Sequence, residues 1–198
     1  MGTFLSGDGE ENKMKELSII KTGDHPELEK IWMEKAQKAM ARFHPNRLSE
    51  WVNGRIALTV AFEKVGITIT PGNEFVGYQK IRGHEDFTFS ISHTPGWAGA
   101  LVTGRDQFPG LDLEAKDRQI DEQVLERFTH PEDHNLESLL LWSVKEAAYK
   151  CLPKETQEKI WLQSIQVGAG SFMGEGFGGT WEKIHHPELV VVEAFRAI

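Results

Sequence analysis

The apolar residues of this chain switch back and forth between helical and strand spacing, and that switching restricts the fold more than any other feature. Leu28, Ile31, Trp32, Ala36, Ala39, Met40 and Phe43 recur at helical intervals. Asp24, with Glu27 three residues on, marks the start of that helix as a capping box. His44-Pro45-Asn46 interrupts the stripe, and a second one, Leu48, Trp51, Val52, Leu58, Phe62 and Val65, runs on to Gly66. The period then falls to two. Phe87, Phe89 and Ile91 alternate with Thr88, Ser90 and Ser92, as in a half-buried strand. His93-Thr94-Pro95-Gly96 is turn chemistry, and 97–102 reads as a returning strand. A third strand, 110–114, places Leu111 and Leu113 on one face and Asp112 and Glu114 on the other. These segments predict an antiparallel meander. Helices are expected over 121–128 and 135–150, the second stopped by Pro153, and strands over 160–167, 179–184 and 188–195. Helices, strands, helices and strands in that order predict an α+β fold rather than alternating βαβ units.

A chain of 198 residues can bury a real core as one domain or as two small packed halves. Residues 1–13, poor in apolar side chains, are set aside as a leader. No apolar run approaches the ~18–20 residues of a membrane span, and no basic flank with an apolar stretch behind it marks a secretory signal. The expected location is the cytoplasm. With 22 basic and 30 acidic residues the net charge is −8, which disfavours a general nucleic-acid binder. Cys151, the single cysteine, excludes an internal disulfide and a Cys-rich zinc module.

Three local patterns carry chemistry, each with an ordinary alternative. Asp112-Leu113-Glu114 directs two carboxylates the same way from a strand, so that both reach one hard cation, or else form the solvated face of an amphipathic strand. In Trp142-Ser143-Val144-Lys145-Glu146-Ala147-Ala148-Tyr149-Lys150, Glu146 and Lys150 share a helix face, with Ser143 a turn earlier. As a surface ion pair they would contribute about 0.3–0.5 kcal/mol. Ser90-Ile91-Ser92-His93 ends a strand at a turn, where a histidine can simply bond a carbonyl.

Taken in order, S-I-S-H-T, G-L-D-L-E and W-S-V-K-E-A-A-Y-K resemble the 4′-phosphopantetheinyl transferase superfamily. E-R-F-T-H-P-E-D over 126–133 is similar to the link between its last two motifs, and W-V-N-G-R-I-A-L over 51–58 is similar to the G-R-x-A helix of siderophore-type members. The resemblance spans about residues 47–151. The chain length is similar to the larger monomeric class, which implies two similar α/β halves related by a pseudo-two-fold axis, 14–105 and 106–198 here. Antiparallel sheets would pack against helices, with the active site at the junction. The resemblance implies transfer of 4′-phosphopantetheine from coenzyme A to a serine of an apo acyl or peptidyl carrier protein, releasing adenosine 3′,5′-bisphosphate.

Residue by residue, it implies that Asp112, Glu114 and Glu146 hold Mg²⁺ (or Mn²⁺), an ion suited to bridging phosphate oxygens. Glu146 is the candidate base for the serine hydroxyl, directly or through a metal-bound water. Asp112 belongs to the catalytic set, and Lys150 is expected on the reacting phosphate. Lys145 has a supporting phosphate or orienting role. Ser92 and His93 match nucleotide-phosphate contacts, with Arg47 and Arg55 as further cations. Lys80, or neighbouring Arg82, stands where the family has a lysine in G-K-P, although here the segment reads Tyr78-Gln79-Lys80-Ile81. Because carriers are acidic, Lys145, Lys150, Lys154 and Lys159 are expected to form a basic docking surface.

Other signals are weaker. The Gly-rich stretch 168–179 precedes a strand-like segment and reads as a hairpin loop, not a dinucleotide fingerprint. His130 and His134 flank Pro131 without an H-E-x-x-H pattern, and His185-His186 ends a strand. Cys151 reads as an ordinary buried thiol. Ser92-His93 lacks a G-x-S-x-G elbow for a hydrolase. Two other functions compete: a metal-dependent phosphohydrolase acting on coenzyme A or another diphosphate, and a non-catalytic carrier-protein or coenzyme A binding module.

Overall fold

A computed structural model describes residues 14–39, 44–72 and 79–197. The expected leader, together with Met40, Phe43 and Tyr78, lies outside the described residues. Two antiparallel sheets organise the rest. Strands β1 (Lys15–Lys21), β2 (Phe87–Thr94) and β3 (Trp97–Gly104) form the smaller sheet in the order β1-β3-β2. Strands β4 (Pro109–Ala115), β5 (Gln166–Val167), β6 (Ser171–Gly174), β7 (Phe177–Ile184) and β8 (Leu189–Arg196) form the larger one, ordered β4-β8-β7-β6-β5. This is an α+β fold with antiparallel sheets packed against helices, as expected.

Helices α1 (Pro26–Ala39) and α2 (Pro45–Lys64) cover the smaller sheet. Their stripes, with Trp32, Val52, Leu58 and Phe62, meet Ile20, Phe89, Ala98, Ala100 and Val102 in one core. Pro45 sits where helices tolerate it best, in the first turn, behind His44 as N-cap. Asp24 does not cap α1; its carboxylate accepts from the Lys21 N–H at 3.2 Å and closes the turn after β1. Helix α3 (Glu122–Phe128) is capped by Asp121. Helix α4 (Ser138–Lys150) covers the larger sheet, burying Leu141, Val144 and Ala148 against Val190, Val192 and Ala194. A short helix α5 (Lys154–Gln157) follows Pro153. Leu101, Leu111, Leu113, Leu189 and Val191 form a third cluster that joins the two sheets.

Three strand expectations are corrected. The meander does not form, because β4 leaves β3 and pairs with β8, while β1, unrecognised in the sequence, takes the free edge of β3. Of 160–167 only Gln166–Val167 is strand, preceded by a 3₁₀ turn over Leu162–Ser164. The Gly-rich stretch does form a hairpin, but it contributes strand β6 to it.

The polar face of β2 is also not solvated. Thr88, Ser90 and Ser92 are buried because β2 lies alongside β4, which belongs to the other sheet. With no ladder between these neighbours, hydroxyls take over. Ser90 Oγ accepts from the Leu111 N–H at 3.0 Å, Ser92 Oγ from the Leu113 N–H at 3.2 Å, and Thr88 donates to the Gln107 carbonyl at 2.6 Å. On the opposite side of β4, Gly110 lets α4 approach: a Cβ there would stand 1.8 Å from the Ala147 carbonyl oxygen. Asp112 and Glu114, on the same side of the strand as Gly110 by alternation, therefore look toward α4. Among the described residues no helix is long and apolar enough to cross a membrane.

Candidate functional site

The seam between β2 and β4 opens, beside α4, into a cleft of about 240 Å³ lined by Ile91, Ser92, His93, Asp112, Glu114, Trp142, Glu146 and Lys150. Strand β2 supplies its first three residues, β4 the two carboxylates, and α4 the rest at helical spacing. The Lys150 ammonium lies 2.8 Å from Asp112 Oδ1 and donates to Ser92 Oγ and the Leu111 carbonyl, both at 3.1 Å. Ser92 in turn donates to Asp112 Oδ1 at 3.2 Å. Glu114 accepts from the Trp142 indole at 2.9 Å and from the Arg118 guanidinium, which also lies 5.2 Å over the Trp142 ring.

The charges in the cleft follow from this packing. Burial opposes the Lys150 charge, yet Asp112 first, then Glu146 and Glu114, outweigh it and hold the ammonium above its ordinary value. Burial pushes the Glu146 carboxyl up, with Asp112 and Glu114 adding to that and Lys150 opposing it. The result is a carboxyl of increased basicity beside a firmly held cation.

A second cleft of about 390 Å³ adjoins the first at Ile91 and His93, and is otherwise lined by Arg47, Glu50, Trp51, Gly54 and Arg55. Arg55 stacks 4.8 Å over Trp51, and burial lowers its pKa to about 10. His93 Nε2 lies 3.9 Å from Glu50 Oε2. Together the clefts form a trough with carboxylates and a lysine at one end and arginines with a histidine at the other.

No protein-family model matches the chain, and no curated protein matches it.

Of the residues singled out in the sequence, the trough gathers Arg47, Arg55, Ser92, His93, Asp112, Glu114, Glu146 and Lys150. Lys145 is elsewhere. It is fully buried on the other side of α4, 2.8 Å from Asp133 Oδ2 and bonded to the Ile165 carbonyl, so it anchors the helix rather than facing a phosphate. Lys80 and Arg82 are exposed and line neither cleft. Lys145, being buried, drops out of the expected basic docking surface, Lys150 faces the cleft, and Lys154, 3.8 Å from Glu158, is exposed along with Lys159. Cys151 is a buried thiol pushed up to about 12, in keeping with an inert role.

The metal expectation is corrected. Among the described residues no group of three or more His, Cys, Asp or Glu side chains could hold a metal ion. Asp112, Glu114 and Glu146 line one cleft, but the first is engaged by Lys150 and Ser92 and the second by Arg118 and Trp142. Cationic and N–H groups of the chain thus stand where a shared Mg²⁺ or Mn²⁺ was expected, and the reading as a magnesium-dependent, metal-binding enzyme is withdrawn.

Sequence reasoning missed Arg118, Trp142 and Gln79. Trp142 precedes Glu146 by one helical turn, which signals a shared face. Arg118 follows Glu114 by four residues, but across a strand end, where spacing predicts no contact. Gln79 Nε2 donates to the Pro109 carbonyl at 3.1 Å and to the Lys150 carbonyl at 2.8 Å, a link that no local pattern encodes.

Proposed function

We propose that this chain transfers the 4′-phosphopantetheine group of coenzyme A to a serine hydroxyl of an apo carrier protein. The observation that carries the reading is convergence: Ser92, Glu146 and Lys150, from motifs far apart in the chain, line one cleft that opens into another lined by Arg47, Arg55 and His93. The first offers a base and a cation for a reacting diphosphate, the second cations for the remaining phosphate of coenzyme A.

In this reading Glu146 takes the proton of the acceptor serine, whose oxygen attacks the phosphorus bearing the pantetheine arm. The new P–O bond forms as the bond to the departing adenosine 3′,5′-bisphosphate breaks, and Lys150 balances charge on the phosphoryl oxygens. Asp112 and Ser92 hold Lys150 in place. The same reading treats 14–105 and 106–198 as similar halves meeting at the cleft, with β2 and β4 side by side as support, and the protein as a cytoplasmic monomer.

The test is intact-mass spectrometry of apo carrier proteins incubated with coenzyme A, run with a divalent cation and in EDTA because the reading commits to side chains rather than to an ion. A carrier gaining one phosphopantetheine arm, with adenosine 3′,5′-bisphosphate released in equal amount, is the expected result. Cleavage of coenzyme A without any carrier would instead favour a phosphohydrolase.

A further inference from the structure

Gln79 is, among the described residues, the one side-chain-bearing position with a positive φ, 59°. L-residues other than Asn and Asp rarely adopt that conformation, and glycine adopts it freely. A glutamine kept there points to its side chain. That side chain spends both amide hydrogens on carbonyls from two different elements: Pro109, the first residue of β4, and Lys150, the last residue of α4. Carbonyls at a helix C-terminus lack intrahelical donors, and this helix ends on Cys151 in the right-handed region, without a glycine cap. The donor to its last carbonyl arrives instead from a segment 71 residues away.

The two elements joined in this way carry the cleft. Strand β4 bears Asp112 and Glu114, and α4 bears Glu146 and Lys150. They already meet closely at Gly110 and Ala147, and the Lys150 ammonium reaches three oxygens only while its backbone holds its present distance from β4. From this geometry we infer that Gln79 is a positioning residue, a clamp that sets the end of α4 against β4 and so aims Lys150 into the cleft. As a contribution to catalysis the inference rests on the transfer reading above.

Q79G separates the clamp from the turn. It frees the left-handed backbone and removes both hydrogen bonds, so a residue that only made the turn would be improved by it. Q79E keeps size and shape but turns an oxygen toward two carbonyls. The expected result for both variants is a fall in kcat of roughly tenfold to a hundredfold. The KM for coenzyme A should stay within about threefold, and both variants should still melt in one cooperative transition. Full kcat in Q79G overturns the inference, as does a rise in KM with kcat intact. A second readout is independent of the reaction: amide hydrogen exchange over the last turn of α4 should accelerate in Q79G and Q79E. If the wild type transfers nothing, the functional reading fails while the exchange still decides the clamp. Unchanged exchange in both variants refutes it.

Discussion

Lys145 and Lys150 belong to the same helix, each paired to an aspartate at 2.8 Å, yet they do opposite things. Lys145 is fully enclosed, and burial pulls its ammonium below the ordinary value despite the opposing pull of Asp133. Lys150 keeps a quarter of its side chain exposed and is held above that value by Asp112, Glu146 and Glu114 together. The number of carboxylates around each lysine, not the depth of burial alone, sets the sign. One side of α4 is therefore a fixed anchor, while the other offers a cation to whatever enters the cleft.

The largest effect should come from breaking the anchor. K145M leaves Asp133 enclosed without its cation and should cost about 3–5 kcal/mol of stability, read as a drop in the urea midpoint. Asp133 also accepts from the Val167 and His130 N–H groups, so the loss should spread into the loop they hold. A K145M variant as stable as the wild type would mean that the buried pair holds nothing together.

The cleft side should respond in activity first. E146Q removes the base and should lower transfer roughly a hundredfold or more with the melting temperature nearly unchanged. In the wild type Glu146 must be ionised to act, and its carboxyl titrates above the ordinary 4.5. The acid limb of kcat/KM against pH should accordingly lie above that value, with activity lost as pH falls through it. A limb at or below 4.5 would assign the base to another group. K150M should also abolish most transfer, at a stability cost of about 1–3 kcal/mol for the stranded Asp112, which is as buried as Asp133 but lines the cleft, where water can enter the space the ammonium leaves. Equal destabilisation by K145M and K150M would erase the distinction between the two sides.

That distinction was not legible in the sequence, where both lysines sit in one motif and spacing fixes only which residues share a helix face. What covers each face is decided by Asp133 and Ile165 on one side and by β2 and β4 on the other. The long helices were legible because their apolar stripes are long and regular. Strand β1 was not, being a short segment with lysines at both ends next to the leader. Alternation put Asp112 and Glu114 on one face correctly but says nothing about the cations brought to them, and so it suggested a metal where Lys150 and Arg118 stand. The burial of Thr88, Ser90 and Ser92 was not legible either, because the period-two polarity of a half-buried strand is the same for water and for a neighbouring strand reached through hydroxyls.

A third lysine sharpens the comparison with a smaller effect. Lys15 bonds both Glu182, at 2.6 Å, and Glu193, at 2.5 Å, which face each other across β7 and β8. Here two carboxylates share one ammonium, and Glu193 Oε1 is buried without a hydrogen-bond partner. Burial, joined by Glu182, raises the Glu193 carboxyl, while Lys15 holds Glu182 low. A carboxyl whose pKa is higher folded than unfolded stabilises the fold at pH below its unfolded value, and that contribution is lost as pH rises through the folded one. Glu182 works in the opposite sense, losing its contribution as pH falls. E193Q deletes the first dependence and keeps the second, leaving Lys15 with one carboxylate as Lys145 has. Its stability at pH 7 should range from neutral to about 1 kcal/mol above the wild type. The advantage over the wild type should grow between pH 4.5 and 7 in urea titrations. A variant that instead loses stability relative to the wild type as pH rises over that window would show that Glu193 is more stable charged than neutral, and that two carboxylates on one lysine are no burden to the fold.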